Sequence, residues 1–163
     1  MTVERGKITP FWNDEYKAFK YVTQPITDEE IQRWRELGYE HSSFTGKMYS
    51  SKNPMPDWVR RVTVQIGLSS PGFTFYKMTT GDIMPIHVDH FNKYCEIFKK
   101  SRSEVKRAIV FLEDWKSGHY FEIGGKAITN YNAGEYVLWS HEEPHSAANI
   151  GIENRYTLQI TGI

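Results

Sequence analysis

Met84-Pro85-Ile86-His87-Val88-Asp89-His90 is the stretch on which the reading of this sequence turns. In an extended strand alternate side chains project from one face, so His87 and Asp89 point to the same side, about 6–7 Å apart by the usual rise per residue. His90 faces away from His87 in such a strand. An imidazole and a carboxylate placed this way can grip a metal ion from one side, but they need a third ligand brought in by the fold. Two histidines and one carboxylate on one face of an ion leave its opposite face open. Far downstream, His141 and His145 both qualify as that third ligand.

The surrounding chain reads as a set of short strands. Phe73 to Met78 is an apolar strand broken at Gly81-Asp82, and Arg107 to Leu112 is a near-continuous apolar run suited to a buried strand. Gly124-Gly125 sits between two short apolar runs, a hairpin signal. Tyr136 to Trp139 follows the turn-forming Asn132-Ala133-Gly134, and Arg155 to Ile160 alternates again. Val62 to Gly67 also alternates and is read as a half-buried strand, after a helical turn at Asp57–Arg61. Strands spaced about 8–12 residues apart, with turns between them, indicate a mainly β sandwich or barrel.

The first 60 residues look different. Residues 1–26 are an irregular arm. Thr27-Asp28-Glu29-Glu30 is a capping box opening a helix that carries Ile31, Trp34 and Leu37 and stops at Gly38. Residues 41–57 read as loop, and Phe91 to Arg102 as a charged, partly helical connection. The 163 residues are therefore one domain, with 1–60 as helical and irregular support and 61–163 as the β core.

Composition narrows the function. Lys+Arg and Asp+Glu number 20 each, so no long-range field draws the chain to nucleic acid or an acidic membrane. Aromatics at 15% suit a sheet-rich core or an aromatic-lined pocket. The lone Cys95 excludes an internal disulfide framework and fits a reducing compartment. The opening Met1–Lys7 has no apolar signal region, and no stretch approaches about 18 apolar residues. A soluble, cytoplasmic protein is expected.

Asn149 to Asn154 is turn-rich and lies between two candidate strands. If the chain reverses near Ile150 as a hairpin, Arg155 stands across from His145, and Thr157 shares its face. A guanidinium there would offer a bidentate fork to a carboxylate, with the Thr157 hydroxyl as a further donor.

With these residues in place, the pattern His87-Val88-Asp89, His145, then Arg155 ten residues on resembles the HxD…H…R motif of the 2-oxoglutarate/Fe(II)-dependent dioxygenases. The resemblance covers residues from about 73 to 163. Tyr76 and Gly81 fit the approach to the HxD seen in prolyl-hydroxylase-like members, and the half from Arg107 on resembles small aspartyl/asparaginyl-hydroxylase-like domains. The triplet alone is weak, but the three-part spacing ending in Arg-x-Thr is specific, and its ten-residue gap favours His145 over His141. The resemblance implies a double-stranded β-helix (jelly-roll) core, Fe(II) held by His87, Asp89 and His145, and 2-oxoglutarate and O₂ as cosubstrates. It implies that Arg155 takes the distal carboxylate of 2-oxoglutarate, with Thr157, Tyr76 and Arg107 as further contacts. The expected reaction is hydroxylation of a peptidyl side chain or small metabolite, with succinate and CO₂ as co-products. Asp89 argues against halogenation, because halogenase relatives lose that carboxylate. Thr161 stands where nucleic-acid-repair members carry a second arginine, which argues against that substrate.

Plainer roles compete for each residue. His87 and Asp89 could form a structural salt bridge, Arg155 could be a surface arginine, Arg107 a solvated strand end and Tyr76 a core aromatic. Trp115, Tyr131 and Trp139 suit packing, with a wall of the substrate pocket as the alternative for one of them; Glu142 and Glu143 suit a solvated loop; His41 and His119 are ordinary loop histidines. Two other functions stay in play: a cupin-like metalloenzyme that does not use 2-oxoglutarate, and a non-catalytic β-sandwich binding module. A jelly roll this size leaves little chain for a lid, so the site is either open, which suits a peptide, or shared across a homodimer.

Overall fold

Alternation along the last strand, Arg155–Gly162, sorts the molecule into two sides. Tyr156, Leu158 and Ile160 pack into one apolar cluster with Trp58, Val59 and Val62, while Arg155, Thr157 and Gln159 turn the other way into a cavity. The computed structural model describes residues 3–40, 44 and 46–163. Its early elements are β1 (Glu4–Lys7), β2 (Val22–Thr23), α1 (Asp28–Glu36), β3 (Lys47–Ser50) and α2 (Trp58–Ile66). Then come β4 (Gly72–Met78), β5 (Ile83–His87), α3 (Asn92–Phe98), β6 (Lys106–Phe111) and β7 (His119–Ile123). The chain ends with β8 (Lys126–Ala127), β9 (Glu135–Ser140), β10 (His145–Asn149) and β11 (Arg155–Gly162).

Two antiparallel sheets result, one ordered β1-β9-β6-β11-β4-β3-β2 and the other β5-β10-β7-β8. The period-2 rule holds on four neighbouring strands of the larger sheet. Its outward residues (Phe73, Phe75, Ala108, Val110, Leu138, Leu158, Ile160) build one core with α2 and the N-terminal arm. Its inward residues (Ile109, Phe111, Val137, Trp139) join Phe121 and Ile123 of β7 in a second core between the sheets. Phe75, Val62, Val110, Leu158 and Ile160 are fully buried, each side chain contributing about 1.5–3 kcal/mol. The mainly β jelly-roll expectation is met.

Local expectations hold at several points. The capping box forms as read: Glu30 N–H donates to Thr27 Oγ1 at 3.3 Å and the Thr27 N–H donates to Glu30 Oε2 at 3.4 Å. Trp34, the buried residue of α1, donates from Nε1 to the Ile86 carbonyl at 3.1 Å, tying this helix to β5. The Gly124-Gly125 hairpin joins β7 to β8. Among the described residues no helix is long and apolar enough to cross a membrane.

Three expectations are corrected. Val62 to Gly67 is not a strand but most of α2, closed by Gly67 in the left-handed region at φ 83°. A strand would put Val62 and Val64 on one face, yet Val62 is fully buried and Val64 is 76% exposed. The decisive spacing is Trp58, Val59, Val62, Thr63, a helical stripe whose burial outweighs the poor helix propensity of β-branched residues. Second, Asn149 to Asn154 is not a hairpin turn. β10 pairs with β5 and β7, whereas β11 pairs with β4 and β6, so this segment crosses from one sheet to the other. The fully buried Asn149 anchors the crossing, its amide donating to the carbonyls of Met78 and Glu153 at 2.9 and 2.8 Å. Third, the irregular arm and the 41–57 loop supply β1, β2 and β3, so the first 60 residues extend the larger sheet as well as supporting it. His41 lies outside the described residues.

Candidate metal centre and its pocket

His87 ends β5 and His145 begins β10, and the two are direct partners in the antiparallel ladder. Their rings lie 4.3 Å apart, centroid to centroid. Each ring is oriented by its own backbone, His87 Nδ1 bonding the Pro85 carbonyl at 2.8 Å and His145 Nδ1 the Glu143 carbonyl at 2.9 Å. A carbonyl only accepts, so Nδ1 carries the proton in both, and this second contact is the usual way a ligating imidazole is fixed in tautomer and direction. Both Nε2 atoms turn to Asp89: His145 Nε2 is 3.4 Å from Oδ2 and His87 Nε2 is 3.9 Å from Oδ1. One ligand atom from each of the three residues lies within 4.8 Å of the others.

The electrostatics suit a cation. Burial pushes His145 down to about 4, outweighing the attraction of Asp89, so its ring is neutral at pH 7 and its Nε2 bears a lone pair. Burial alone would raise Asp89, but the charge of Arg107, the neighbouring histidines and the Arg107 hydrogen bond prevail and hold the carboxyl below its usual range. Asp89 Oδ2 is buried with no hydrogen-bond partner. A neutral imidazole and a carboxylate thus present lone pairs to each other with no proton between them. A divalent ion would fit the donor set, and all three side chains are of the 2-His-1-carboxylate type.

A cavity of about 100 Å³ runs inward from this triad between the sheets, well above the roughly 10–15 Å³ needed to hold a single water. His87, Asp89, His145, Tyr76, Arg107, Arg155 and Thr157, the seven residues singled out in the sequence, all line it. Arg155 arrives from β11 because the sheets face each other, not because it pairs with His145. It is 4% exposed, donates from Nη1 to the Met78 sulfur at 3.6 Å, stands beside the neutral Tyr131 phenol, and lies 5.8 and 5.9 Å over the Phe111 and Phe121 rings. Its Nε and Nη2 have no partner. Thr157 and Tyr76 are cross-strand partners beside it, and burial raises the Tyr76 phenol, keeping it a donor. Arg107 contacts Asp89 and Thr161, so the plain strand-end reading is replaced by a partly buried ion pair.

Among the described residues, four of the six buried side-chain polar atoms that lack a partner belong to this lining: Asp89 Oδ2, Trp139 Nε1, and Arg155 Nε and Nη2. Such atoms are rare, and their convergence on one cavity leaves it with polar groups that a ligand would satisfy. Trp139 takes the pocket-wall role that the sequence left open for one of three aromatics, though nothing in the sequence shows that its indole N–H is buried without an acceptor. Gln159 also lines the cavity, and its i+2 relation to Thr157 was a usable signal. The other histidines lie elsewhere: His90 is exposed, His141 sits 3.8 Å from Glu142, and His119 is buried against the Glu153 carbonyl. On the outer side, an open cleft lined by Pro25, Glu30, Trp34, His90 and Asn92 reaches His87 and Asp89.

No protein-family model matches the chain, and no curated protein matches it. Solved structures resemble its fold. A Pseudomonas putida prolyl-4-hydroxylase superposes with a TM-score of 0.55 at 16% identity, over 82% of each chain. A predicted oxalate decarboxylase from Thermotoga maritima gives 0.43 at 14% identity, covering 72% of this chain and 79% of that one. The cupin domain of Schizosaccharomyces pombe Cnp3 gives 0.43 at 12%, covering 71% and 59%. The fold class is the cupin-like double-stranded β-helix.

Proposed function

We propose that this protein is an Fe(II)- and 2-oxoglutarate-dependent dioxygenase that hydroxylates a peptidyl side chain or a small metabolite. The observation that carries the reading is Arg155, a guanidinium buried in the same cavity as the triad and lacking an anion to pair with. An unpaired buried charge costs several kcal/mol by the usual desolvation argument, so a ligand carboxylate is the natural counter-charge. His87 Nε2, His145 Nε2 and one oxygen of Asp89 would hold Fe(II). Arg155, with the Thr157 hydroxyl and the Tyr76 phenol, would take the far carboxylate of 2-oxoglutarate. The bound iron would supply O₂ activation, coupled to decarboxylation of 2-oxoglutarate to succinate and CO₂. Phe121, Ile109 and Ala147 line the same space and limit water there. The open outer cleft would admit the substrate.

A cupin-like metalloenzyme that does not use 2-oxoglutarate would share the fold and the triad, but it leaves Arg155 without a role. Anaerobic titration separates the two. Protein loaded with Fe(II) should develop the weak visible charge-transfer band of the chelate when 2-oxoglutarate is added, and His145→Ala should lose both metal and band. Metal uptake without the band would favour the cupin reading; no metal uptake would overturn both.

A further inference from the structure

Arg107 makes contacts that the dioxygenase reading alone does not require. Its Nη1 donates to Asp89 Oδ1 at 2.6 Å, while Nε and Nη2 both donate to Thr161 Oγ1 at 3.1 and 3.0 Å. The guanidinium lies 4.8 Å over the Phe91 ring. Phe91 itself sits at φ 54°, a left-handed conformation that is strained for a residue with a side chain, and it is 6% exposed. Arg107 is thus gripped from three directions: a hydroxyl on the neighbouring strand, an aromatic face from the turn after the HxD, and the carboxylate. The two oxygens of Asp89 are unequal as a result. Oδ1 is committed to Arg107, and only Oδ2 is buried without a partner. The spot beside Thr161 is also filled, since a guanidinium from β6 reaches it across the ladder.

We infer that Arg107 is a positioning residue that restricts Asp89 to ligation through Oδ2 alone. A carboxylate can bind a metal through one oxygen or through both, and the second mode consumes a coordination position. By holding Oδ1, Arg107 keeps three positions free on the face opposite the triad. A fixed planar fork suits this task better than an ammonium. This role differs from the contact to 2-oxoglutarate or to an acidic substrate group expected from the sequence.

The inference rests on the triad being a metal site, and Co(II) tests it without turnover. Visible spectra of the Co(II)-loaded protein report coordination number and ligand set. Arg107→Met should shift the bands as Asp89 becomes bidentate, and Arg107→Lys, which keeps one donor to Oδ1, should restore the wild-type spectrum in part. In a Zn(II)-loaded crystal of the wild type only one Asp89 oxygen should lie at about 2.0–2.2 Å from the ion. In Arg107→Met both should approach it. If Arg107→Met fails to fold, Thr161→Val, which loosens the guanidinium, should give a smaller shift of the same kind. Spectra of the folded variants identical to wild type would overturn the inference. So would lost 2-oxoglutarate affinity with an unchanged spectrum, which would make Arg107 an anion contact. A wild type that takes up no Co(II) would overturn the metal reading itself, a different failure.

Discussion

Replacing Arg155 with methionine should move stability and ligand binding in opposite directions. This guanidinium has one contact to sulfur at 3.6 Å, two ring faces at 5.8 and 5.9 Å and the Tyr131 phenol beside it. Exchanging a buried ionic group for a well-packed apolar one often stabilises by about 1–4 kcal/mol. The lost ring contacts offset about 0.5–1 kcal/mol each. At the centre of these ranges a net gain of about 1 kcal/mol remains, which for a chain of this length raises Tm by roughly 2–4 °C. The same change would leave the far carboxylate of 2-oxoglutarate buried without a counter-charge, at a cost of about 2–5 kcal/mol. At about 1.4 kcal/mol per decade, that is a loss of roughly 30- to 3,000-fold in affinity. Differential scanning calorimetry of the apoprotein and anaerobic titration of the Fe(II)-loaded protein read the two effects separately. A lower Tm together with unchanged 2-oxoglutarate affinity would refute the reasoning, because Arg155 would then be a structural residue.

Two further predictions follow from burial. His145 has its pKa depressed from 6.5 to about 4 in the folded protein, so the unfolded chain binds the extra proton first as pH falls. Stability of the apoprotein should therefore be full above about pH 6.5 and decline by about 3 kcal/mol as pH approaches 4, measured as urea midpoints across that range. A flat profile would contradict the burial of this ring. On α2, Val62→Ala should cost about 2 kcal/mol, whereas Val64→Ala should change stability by less than about 0.5 kcal/mol, because one residue is in the core and the other in solvent. Equal costs would restore the strand reading.

Much of the site was legible because its grammar is local. His87 and Asp89 are two residues apart, Arg155 and Thr157 likewise, and period-2 geometry places each pair on one face without knowledge of the fold. β4, β6, β9 and β11 were legible for the same reason: each is long, apolar and bounded by turn residues. What escaped depends on distant partners. β3 has the sequence Lys-Met-Tyr-Ser and is a strand because β4 lies beside it. The segment from Asn149 to Asn154 has the residues of a tight turn, yet the buried Asn149 amide commits it to a crossing between sheets. Residues 58–66 offered both periods at once, and only the core behind them decides which one is real. The wrong hairpin still put Arg155 near the triad, because the sheets that it failed to join lie face to face.

The cross-strand pairing of His87 with His145 has a mechanical consequence. β5 is the outermost strand of its sheet, held along one side by β10. An ion gripped by both imidazoles would rivet the end of that strand to its neighbour, so cofactor loading and local order become one equilibrium. Amide hydrogens from Ile83 to His87 should then exchange more slowly as free metal rises, in step with the logarithm of its concentration, while the larger sheet keeps its own pace.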